Sequence, residues 1–138
     1  ENCSFIASSR NPDPRVHGRG FVSRLSGSTA EMLSIWQKMT LGEGGYETRG
    51  DRIVFRFAPV LAGELFDEKG EISFTLHSRC QIVYHNPSRR DTFGTDGVKP
   101  VLTSYDMIEG RTEIAGDTMP DGAALREGRV ARVDVTFA

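Results

Sequence analysis

The hydrophobic positions of this chain follow two periods, and the change falls at about residue 42. Between residues 29 and 41, apolar residues recur every three or four positions, which is the spacing of one face of an α-helix. The residues on this face are Met32, Leu33, Ile35, Trp36 and Met39. The pattern predicts one amphipathic α-helix that ends at Gly42 and carries Trp36 on a face buried in a core, with stacking of Trp36 on a sugar as the alternative.

After residue 42, apolar and polar positions alternate, as they do in strands that bury one face. The alternating segments are residues 52–57, 71–77, 79–85 and 130–137, with weaker alternation in residues 101–108 and 111–115. Residues 123–127 fit a single helical turn before the last strand. Short strands separated by Gly, Pro and Asp turns predict a mainly β fold, an antiparallel β-sandwich of the jelly-roll-like kind.

The first 20 residues interrupt regular structure at Asn11-Pro12-Asp13-Pro14 and again at Gly18-Arg19-Gly20. We therefore expect an irregular arm before the helix, and two parts in the chain. Residues 1–41 form a loop and a helix, and residues 42–138 form a β-sandwich domain. The apolar helix face has to be covered, either by the sandwich or by chain outside this sequence. Because the sequence begins at Glu1 rather than Met, we expect a processed product or a piece of a longer protein.

The charges nearly cancel, with 17 Lys and Arg against 19 Asp and Glu and a formal net charge of -2. This balance argues against binding to nucleic acid or to an anionic membrane surface, which both favour a basic excess. No apolar run has the length of a membrane span, and no signal segment is present. The two cysteines, Cys3 and Cys80, are too few for a metal site and favour a reducing cytoplasm. Two free thiols and a single bridge between them both remain open.

The segment Leu25-Ser26-Gly27-Ser28-Thr29-Ala30 leads into the predicted helix and is the main candidate for a binding site. Ser28 is a suitable N-cap, and Glu31 three positions later completes a capping box. A Ser-Gly-Ser turn at a helix N-terminus also leaves backbone amides and the positive end of the helix dipole directed outward, which suits an anion. An ordinary cap produces the same pattern. Ser26, Gly27 and Ser28 are therefore candidates for phosphate or substrate binding, with a simple cap as the alternative.

Other polar groups carry weaker signals. His85, Arg89 and Arg90 could hold an anion or a sugar, or could simply end a strand in solvent. The carboxylates within residues 64–71 fit a solvated turn better than the facing pair that a glycosidase needs. The aromatic candidates for contact with a sugar are Tyr46, Tyr84 and Tyr105. No histidine pair has metal-ligand spacing and no Gly-x-Ser-x-Gly motif is present, so we assign no metal ligand and no catalytic residue.

Four segments stand out in combination and in their order along the chain. They are Asn2-Cys3-Ser4-Phe5-Ile6-Ala7-Ser8-Ser9, Gly20-Phe21-Val22-Ser23-Arg24-Leu25-Ser26-Gly27-Ser28-Thr29-Ala30, Pro59-Val60-Leu61-Ala62-Gly63-Glu64-Leu65-Phe66 and Tyr84-His85-Asn86-Pro87. In this combination the chain resembles the C-terminal end of the cellobiose phosphorylases, which are inverting glycoside phosphorylases. The resemblance covers most of the chain and is most specific in the Ser-Gly-Ser-Thr-Ala turn.

The resemblance implies a large parent enzyme with an (α/α)6 barrel and a C-terminal jelly-roll-like domain, so that residues 1–41 would correspond to the end of the barrel. Such enzymes cleave a β-glucosidic bond with inorganic phosphate as co-substrate and release an α-sugar 1-phosphate. A hydroxyl-Gly pair before the last barrel helix helps to hold phosphate and corresponds to Ser26-Gly27 here, followed by Ser28. The family usually has Thr at the hydroxyl position, in an Arg-Thr-Gly context, where this chain has Leu25-Ser26-Gly27.

The resemblance also implies that the catalytic Asp and the other phosphate ligands lie in the barrel, so this chain alone is not expected to be active. Its expected partners are the remainder of the parent enzyme, an oligosaccharide and phosphate, with no other cofactor. A homodimer remains open. The alternative interpretation is a free-standing, non-catalytic β-sandwich module that binds carbohydrate or protein.

Overall fold

A computed structural model describes residues 4–22 and 26–138, and the side chains of residues 4–6, 21, 22, 26, 28 and 29 lie outside this description. The described chain is mainly β, with the two sheets of a sandwich, a two-stranded ribbon near the N-terminus and one long helix. It forms two compact units, Glu1–Trp36 and Gln37–Ala138, which divide within the long helix. The predicted fold class, a β-sandwich preceded by an arm and an amphipathic helix, is confirmed.

The N-terminal arm contains more regular structure than its Pro and Gly residues indicate. Strand β1 (Ser4–Ile6) pairs with strand β2 (Gly20–Val22) in antiparallel register. Between them, Pro14–Val16 form a 3-10 turn that begins at Asp13, because its carboxylate accepts a hydrogen bond from the Arg15 backbone N–H at 3.0 Å. The proline at the first position of the turn already has a helical φ. The arm is therefore a short β-ribbon that encloses a capped turn.

Helix α1 (Ser26–Leu41) begins three residues before the predicted start, so Ser28 lies inside its first turn rather than ahead of it. The periodic apolar residues begin only at Met32, and the polar residues of the first turn do not contribute to the hydrophobic pattern. The start of the helix was therefore predicted too late. The predicted end is confirmed: the Gly42 N–H donates to the Lys38 carbonyl at 2.9 Å, and Gly42 has a left-handed φ of 65°. A Cβ at Gly42 would lie 1.6 Å from the carbonyl oxygen of Ala58, so only glycine fits there.

The unit Gln37–Ala138 contains the two sheets of the sandwich. The smaller sheet has the order β3-β4-β9 and consists of Gly45–Arg49, Arg52–Arg56 and Thr118–Met119, all antiparallel. The larger sheet has the order β5-β6-β10-β7-β8 and consists of Glu71–Leu76, Cys80–His85, Arg132–Phe137, Pro100–Met107 and Gly110–Ala115. Its strands pair in antiparallel fashion except for β6 and β10, which run parallel. A short helix, α2 (Gly122–Arg126), precedes β10.

All the predicted strands form, with bounds within two residues of those expected, and α2 confirms the predicted helical turn. Strands β3 and β9 were not predicted. Tyr46 is the one large apolar residue of β3, and β9 has only two residues, so neither shows an alternating pattern.

The core lies between the two sheets and is built by residues that the alternation predicts. The inward residues are Cys80, Ile82 and Tyr84 from β6, Val133, Val135 and Phe137 from β10, and Phe55 and Phe57 in and after β4. The ring of Tyr84 is met edge-on by Phe57 at a centroid distance of 6.2 Å and by Phe137 at 5.4 Å. Burial of each large apolar side chain contributes about 1.5–3 kcal/mol, so this layer provides much of the stability of the sandwich.

The turn between β5 and β6 offers a test of this backbone. His77 and Ser78 have left-handed φ values of 52° and 56°, and such values favour glycine or asparagine. We expect Ser78→Gly to raise the free energy of unfolding in urea by about 0.5–1 kcal/mol, because the left-handed conformation costs a non-glycine residue about 1–2 kcal/mol.

The matched control is Ser73→Gly, at an exposed position of the neighbouring strand β5. Ser73 does not have a left-handed φ, so glycine relieves no strain there and should lower the free energy of unfolding by about 0.5–1 kcal/mol. A loss of stability in both variants would contradict the turn geometry.

Candidate functional site

The predicted binding residues Ser26, Gly27 and Ser28 are the first three residues of helix α1. Gly27 is exposed, and no heavy atom lies within 4 Å of the position that a Cβ would occupy. The side chains of Ser26 and Ser28 lie outside the described part of the structure. Their role in holding phosphate therefore stays a prediction, now placed in the first turn of the helix rather than before it.

The middle of helix α1 carries large apolar side chains at the surface. Met32, Leu33, Ile35 and Trp36 are 66%, 64%, 54% and 46% exposed. The prediction that Trp36 lies in a core is therefore wrong for this chain. Within the unit Gln37–Ala138, the last helical turn does join the core: Leu41 is buried and Met39 packs against the core cluster. The apolar helix face exists as predicted, but only its C-terminal end is covered.

The C-terminal end of α1 is bonded to the sandwich through its backbone carbonyls. The buried Tyr84 hydroxyl donates to the carbonyl of Thr40 at 2.6 Å, and the Val60 N–H donates to the carbonyl of Met39 at 2.9 Å. The Ala58 N–H donates to the carbonyl of Leu41 at 3.3 Å. Burial raises the pKa of Tyr84 far above its usual range, so its hydroxyl stays protonated and remains a donor. The final carbonyls of the helix, which have no intrahelical partner, are satisfied by the sandwich.

A charge cluster lies on the face of the larger sheet that is turned away from the core, and it is centred on Asp134. This buried carboxylate accepts hydrogen bonds from Arg132 Nε and Nη2 at 2.9 and 2.7 Å and from Arg111 Nη2 at 3.0 Å. His85 Nε2 lies 2.8 Å from Asp134 Oδ1, and His85 Nδ1 lies 3.1 Å from Glu71 Oε1. The cluster connects β5, β6, β8 and β10 across the sheet.

The pKa of Asp134 reflects two opposing effects. Burial by itself would raise the pKa, but the hydrogen bonds from Arg132, His85 and Arg111 outweigh it and hold the pKa well below the usual range. The carboxylate is therefore ionised at neutral pH and fully occupied by its partners. Because the arginine donors already point at carboxylates, we interpret the cluster as a structural connection between strands rather than an anion site.

We expect Asp134→Asn to lower the free energy of unfolding by about 1–3 kcal/mol, because it removes the charge of a buried carboxylate that pairs with Arg132 and Arg111. The depressed pKa of Asp134 means that its stabilisation is complete above the unfolded-state value of about 3.9 and is lost as the pH falls towards the folded-state pKa. Stability of the variant should therefore fall less than that of the parent chain between about pH 5 and pH 3.

The matched control is Asp106→Asn, whose carboxylate is 43% exposed and bonds Arg111 Nη1 at 3.0 Å. It should cost less than about 0.5 kcal/mol. Denaturant titrations at several pH values give the free energy of unfolding of the parent chain and the two variants. If this free energy depended on pH in the same way for Asp134→Asn and the parent, the stabilising role of the Asp134 carboxylate would be contradicted.

Arg89 and Arg90 are not part of the charge cluster that contains His85. They line a separate cleft of about 700 Å³, together with Ala62, Gly63 and Glu64 on one side and residues 91 and 93–97 on the other. The sequence prediction grouped these two arginines with His85, but the chain separates them. Strand β6 carries His85 on the sheet, and the Asn86-Pro87 turn leads the arginines away into a loop.

Two buried polar side chains hold this cleft in shape. Asn86 Nδ2 donates to the Arg90 carbonyl at 2.7 Å, and the Asn86 side chain is fully buried. Thr92 Oγ1 donates to the Pro59 carbonyl at 2.7 Å and accepts from the Leu61 N–H at 2.8 Å. The sequence pattern indicated neither role. The partners of Thr92 are more than 30 residues away, and the partner of Asn86 is a backbone carbonyl within the loop.

The two walls of the cleft also approach each other closely at Gly63. The Gly63 N–H donates to Asp91 Oδ1 at 2.8 Å. A Cβ at Gly63 would lie 2.0 Å from the Arg89 carbonyl oxygen, so the loops approach too closely for any side chain there. Arg89 itself has a left-handed φ of 49°, a conformation that costs a non-glycine residue about 1–2 kcal/mol.

The predicted acidic turn is a structural feature, in agreement with its interpretation as a solvated loop. Asp67 Oδ1 accepts the backbone N–H groups of Lys69 and Glu71 at 2.9 and 2.8 Å. Glu71 faces His85, as described above, while Glu64 lines the cleft. No pair of facing carboxylates around an open site occurs in this turn.

Two of the three tyrosine candidates for sugar contact are wrong. Tyr84 and Tyr105 are completely buried on the inward faces of their strands, and the Tyr105 hydroxyl donates to Asp121 Oδ2 at 2.5 Å. Tyr46 is 38% exposed, and its hydroxyl lies 2.9 Å from His77 Nε2. Because Tyr84 and Tyr105 are buried, they cannot form a sugar-binding surface together with Tyr46.

The facing sheets and the anchored helix define the protein as a β-sandwich with a helical N-terminal extension. Comparison of the chain with protein-family models, with curated proteins and with solved structures finds no match. Among residues 4–22 and 26–138, no helix has both the length and the apolar character needed to cross a bilayer. In the same ranges, no group of three or more His, Cys, Asp or Glu residues is arranged to hold a metal ion.

Proposed function

We propose that this chain is the C-terminal part of a carbohydrate-active enzyme of the glycoside-phosphorylase type. In this proposal the β-sandwich braces a helical barrel supplied by the rest of the enzyme, and the first turn of α1 lends part of a phosphate or sugar subsite. The parent reaction is phosphorolysis of a β-glucoside to an α-sugar 1-phosphate, with inorganic phosphate as co-substrate. The chain itself contributes no catalytic residue.

The observation that supports this proposal is the contrast along helix α1. Its C-terminal turn is bonded to the sandwich through the carbonyls of Met39, Thr40 and Leu41. The preceding turns carry the four exposed apolar side chains Met32, Leu33, Ile35 and Trp36. A helix with one end fixed and such a surface along its middle fits the last helix of a larger helical assembly. Burial of each of these side chains would contribute about 1.5–3 kcal/mol.

The position of the Ser26-Gly27-Ser28 turn is consistent with a role at an anion. The first turn of a helix leaves backbone N–H groups without intrahelical partners, and the helix dipole places partial positive charge there. Gly27 is exposed and its surroundings are open, so a ligand could approach the backbone closely. The acid that protonates the leaving sugar would come from the barrel.

The alternative is a free-standing module that binds carbohydrate or protein. A tyrosine-based sugar site is disfavoured because Tyr84 and Tyr105 belong to the core.

We keep the reducing cytoplasm as the proposed compartment, supported by Cys80, which is a free buried thiol. Burial raises the pKa of this thiol to about 11, so it is protonated and unreactive at neutral pH. Cys3 lies outside the described residues.

The docking role is tested at the helix face with Leu33→Glu. In the product of the complete reading frame that contains this chain, we expect the variant to lose at least about 2 kcal/mol of stability, because it would bury an unpaired carboxylate. In the 138-residue chain alone, where Leu33 is 64% exposed, the change should stay within about 0.5 kcal/mol.

Gln37→Glu is the matched control, since it adds the same charge at an exposed position of the same helix. It should be neutral in both proteins. Thermal unfolding of the four variant proteins and their parents provides the measurement. Neutral behaviour of Leu33→Glu in the complete gene product would exclude the docking role.

The subsite role is tested with Ser26→Ala in the complete enzyme. We expect the apparent KM for phosphate to rise about tenfold, the equivalent of one lost hydrogen bond to a charged ligand, while sugar binding changes less than about twofold. Ser34→Ala, an exposed serine further along α1, is the control and should leave both parameters unchanged. An unaltered phosphate KM in Ser26→Ala would rule out this role.

A further inference from the structure

The cleft between residues 62–64 and 89–97 combines a rigid backbone with side chains that are free to contact a ligand. Its walls are held by the buried Asn86 and Thr92 and by the contact of Gly63 with Arg89, as described above. In contrast, Glu64 and Arg89 are exposed and form no side-chain hydrogen bond or ion pair within residues 4–22 and 26–138. A fixed backbone that presents uncommitted polar groups is the arrangement expected of a preorganised binding site.

An aromatic ring lies among these polar groups. Phe93 is 43% exposed, and together with Gly94 it also lines a neighbouring cleft of about 590 Å³ that includes Val60 and Lys99. Phenylalanine rings are usually buried, and an exposed ring in a loop of polar and glycine residues has little to gain from its position in the isolated chain. Phe93 therefore offers exposed apolar surface to both clefts.

The charges around the ring do not favour an anion. Arg89 and Arg90 supply positive charge, but Glu64, Asp91 and Asp96 line the same cleft with negative charge. One guanidinium nitrogen of Arg90 is already committed to the Asp96 carbonyl, and Asp91 Oδ1 accepts from Gly63. A phosphate would meet three carboxylates, whose repulsion opposes binding.

The same set of groups suits a neutral ligand with many hydroxyl groups. Each hydroxyl can donate to a carboxylate such as Glu64 and accept from a guanidinium such as Arg89, so donors and acceptors of both kinds are used. The apolar C–H face of a pyranose ring is complementary to an aromatic ring, and Phe93 is the exposed aromatic residue that lines this cleft. The cavity volume lies within the range of about 300–1,000 Å³ that is usual for small-ligand sites.

We propose that this cleft is a saccharide-binding subsite, in which a sugar ring stacks on Phe93 and its hydroxyl groups contact Glu64 and Arg89. The proposal goes beyond the role of the chain in a phosphorylase and does not rest on it, because every residue involved belongs to the sandwich itself. A free-standing module and a domain of a larger enzyme could both present this subsite.

The test is a titration of the isotopically labelled 138-residue chain followed by amide NMR shifts. The probes are cellobiose, maltose and N-acetylglucosamine, and inorganic phosphate is titrated separately. We expect at least one of the sugars to shift amides of residues 62–64 and 89–97, with a Kd of about 1–10 mM. Phosphate should leave these amides unchanged.

Phe93→Ala should weaken the sugar affinity at least about tenfold, and Glu64→Gln at least about threefold. Ile108→Ala is the control, because Ile108 is 94% exposed at the β7–β8 turn and does not line the cleft. Unchanged amide shifts in the rest of each variant will show that its fold is intact. Glu64→Gln keeps the test decisive if Phe93→Ala alters the loop.

Three results would overturn the proposal: no shift at the cleft with any of the three sugars, full sugar affinity in both variants, or shifts at Arg89 and Arg90 with phosphate instead of sugar. The NMR titration reports on residues 62–64 and 89–97, which belong to the sandwich. The docking role is read at Leu33 in the complete gene product, so failure of one proposal does not imply failure of the other.

Discussion

The position of β10 in the middle of the larger sheet is the constraint on which the rest of the sandwich depends. The last strand of the chain inserts between β6 and β7, parallel to the first and antiparallel to the second. One of its faces supplies Val133, Val135 and Phe137 to the core, and the other supplies Asp134 to the charge cluster. Because β6 borders β10, the position of Tyr84 also depends on this insertion, and with it the bond to Thr40 of the helix. The sheet is completed only when the C-terminal residues are in place, which makes the fold strongly non-local.

Helix α1 has a bonded C-terminal end and an exposed apolar middle. Its C-terminal turn is stabilised in an ordinary way, by a left-handed Gly42 and by donors from the sandwich to its final carbonyls. Its middle turns expose a group of large apolar side chains, from Met32 to Trp36. Exposed apolar groups of this size usually mark an interaction surface, and this is the physical basis of the proposal that the helix docks against other helices.

Buried polar side chains have a different role in the loops. Asn86 and Thr92 satisfy backbone groups that two neighbouring loops would otherwise leave without partners in the interior. Their bonds and the close approach at Gly63 hold Arg89 in a left-handed conformation that its side chain disfavours. The strain is tolerated because the surrounding bonds are numerous and buried, and the result is a rigid cleft beside Phe93.

Local periodicity determined much of this architecture. Alternation identified the strands that bury one face, such as β6 with Ile82, and the three-to-four spacing identified helix α1, because both patterns record which side of an element is apolar. The same patterns could not determine which strands are neighbours, so the parallel pairing of β6 with β10 and the partners of Asp134 were decided only by the tertiary structure. Periodicity placed Tyr84 correctly on the inward face of β6, although its ring was also considered for contact with a sugar. It misplaced Trp36, which follows the apolar period of the helix but is 46% exposed. Burial depends on contacts between distant segments, and those contacts are not encoded in the spacing of residues along one segment.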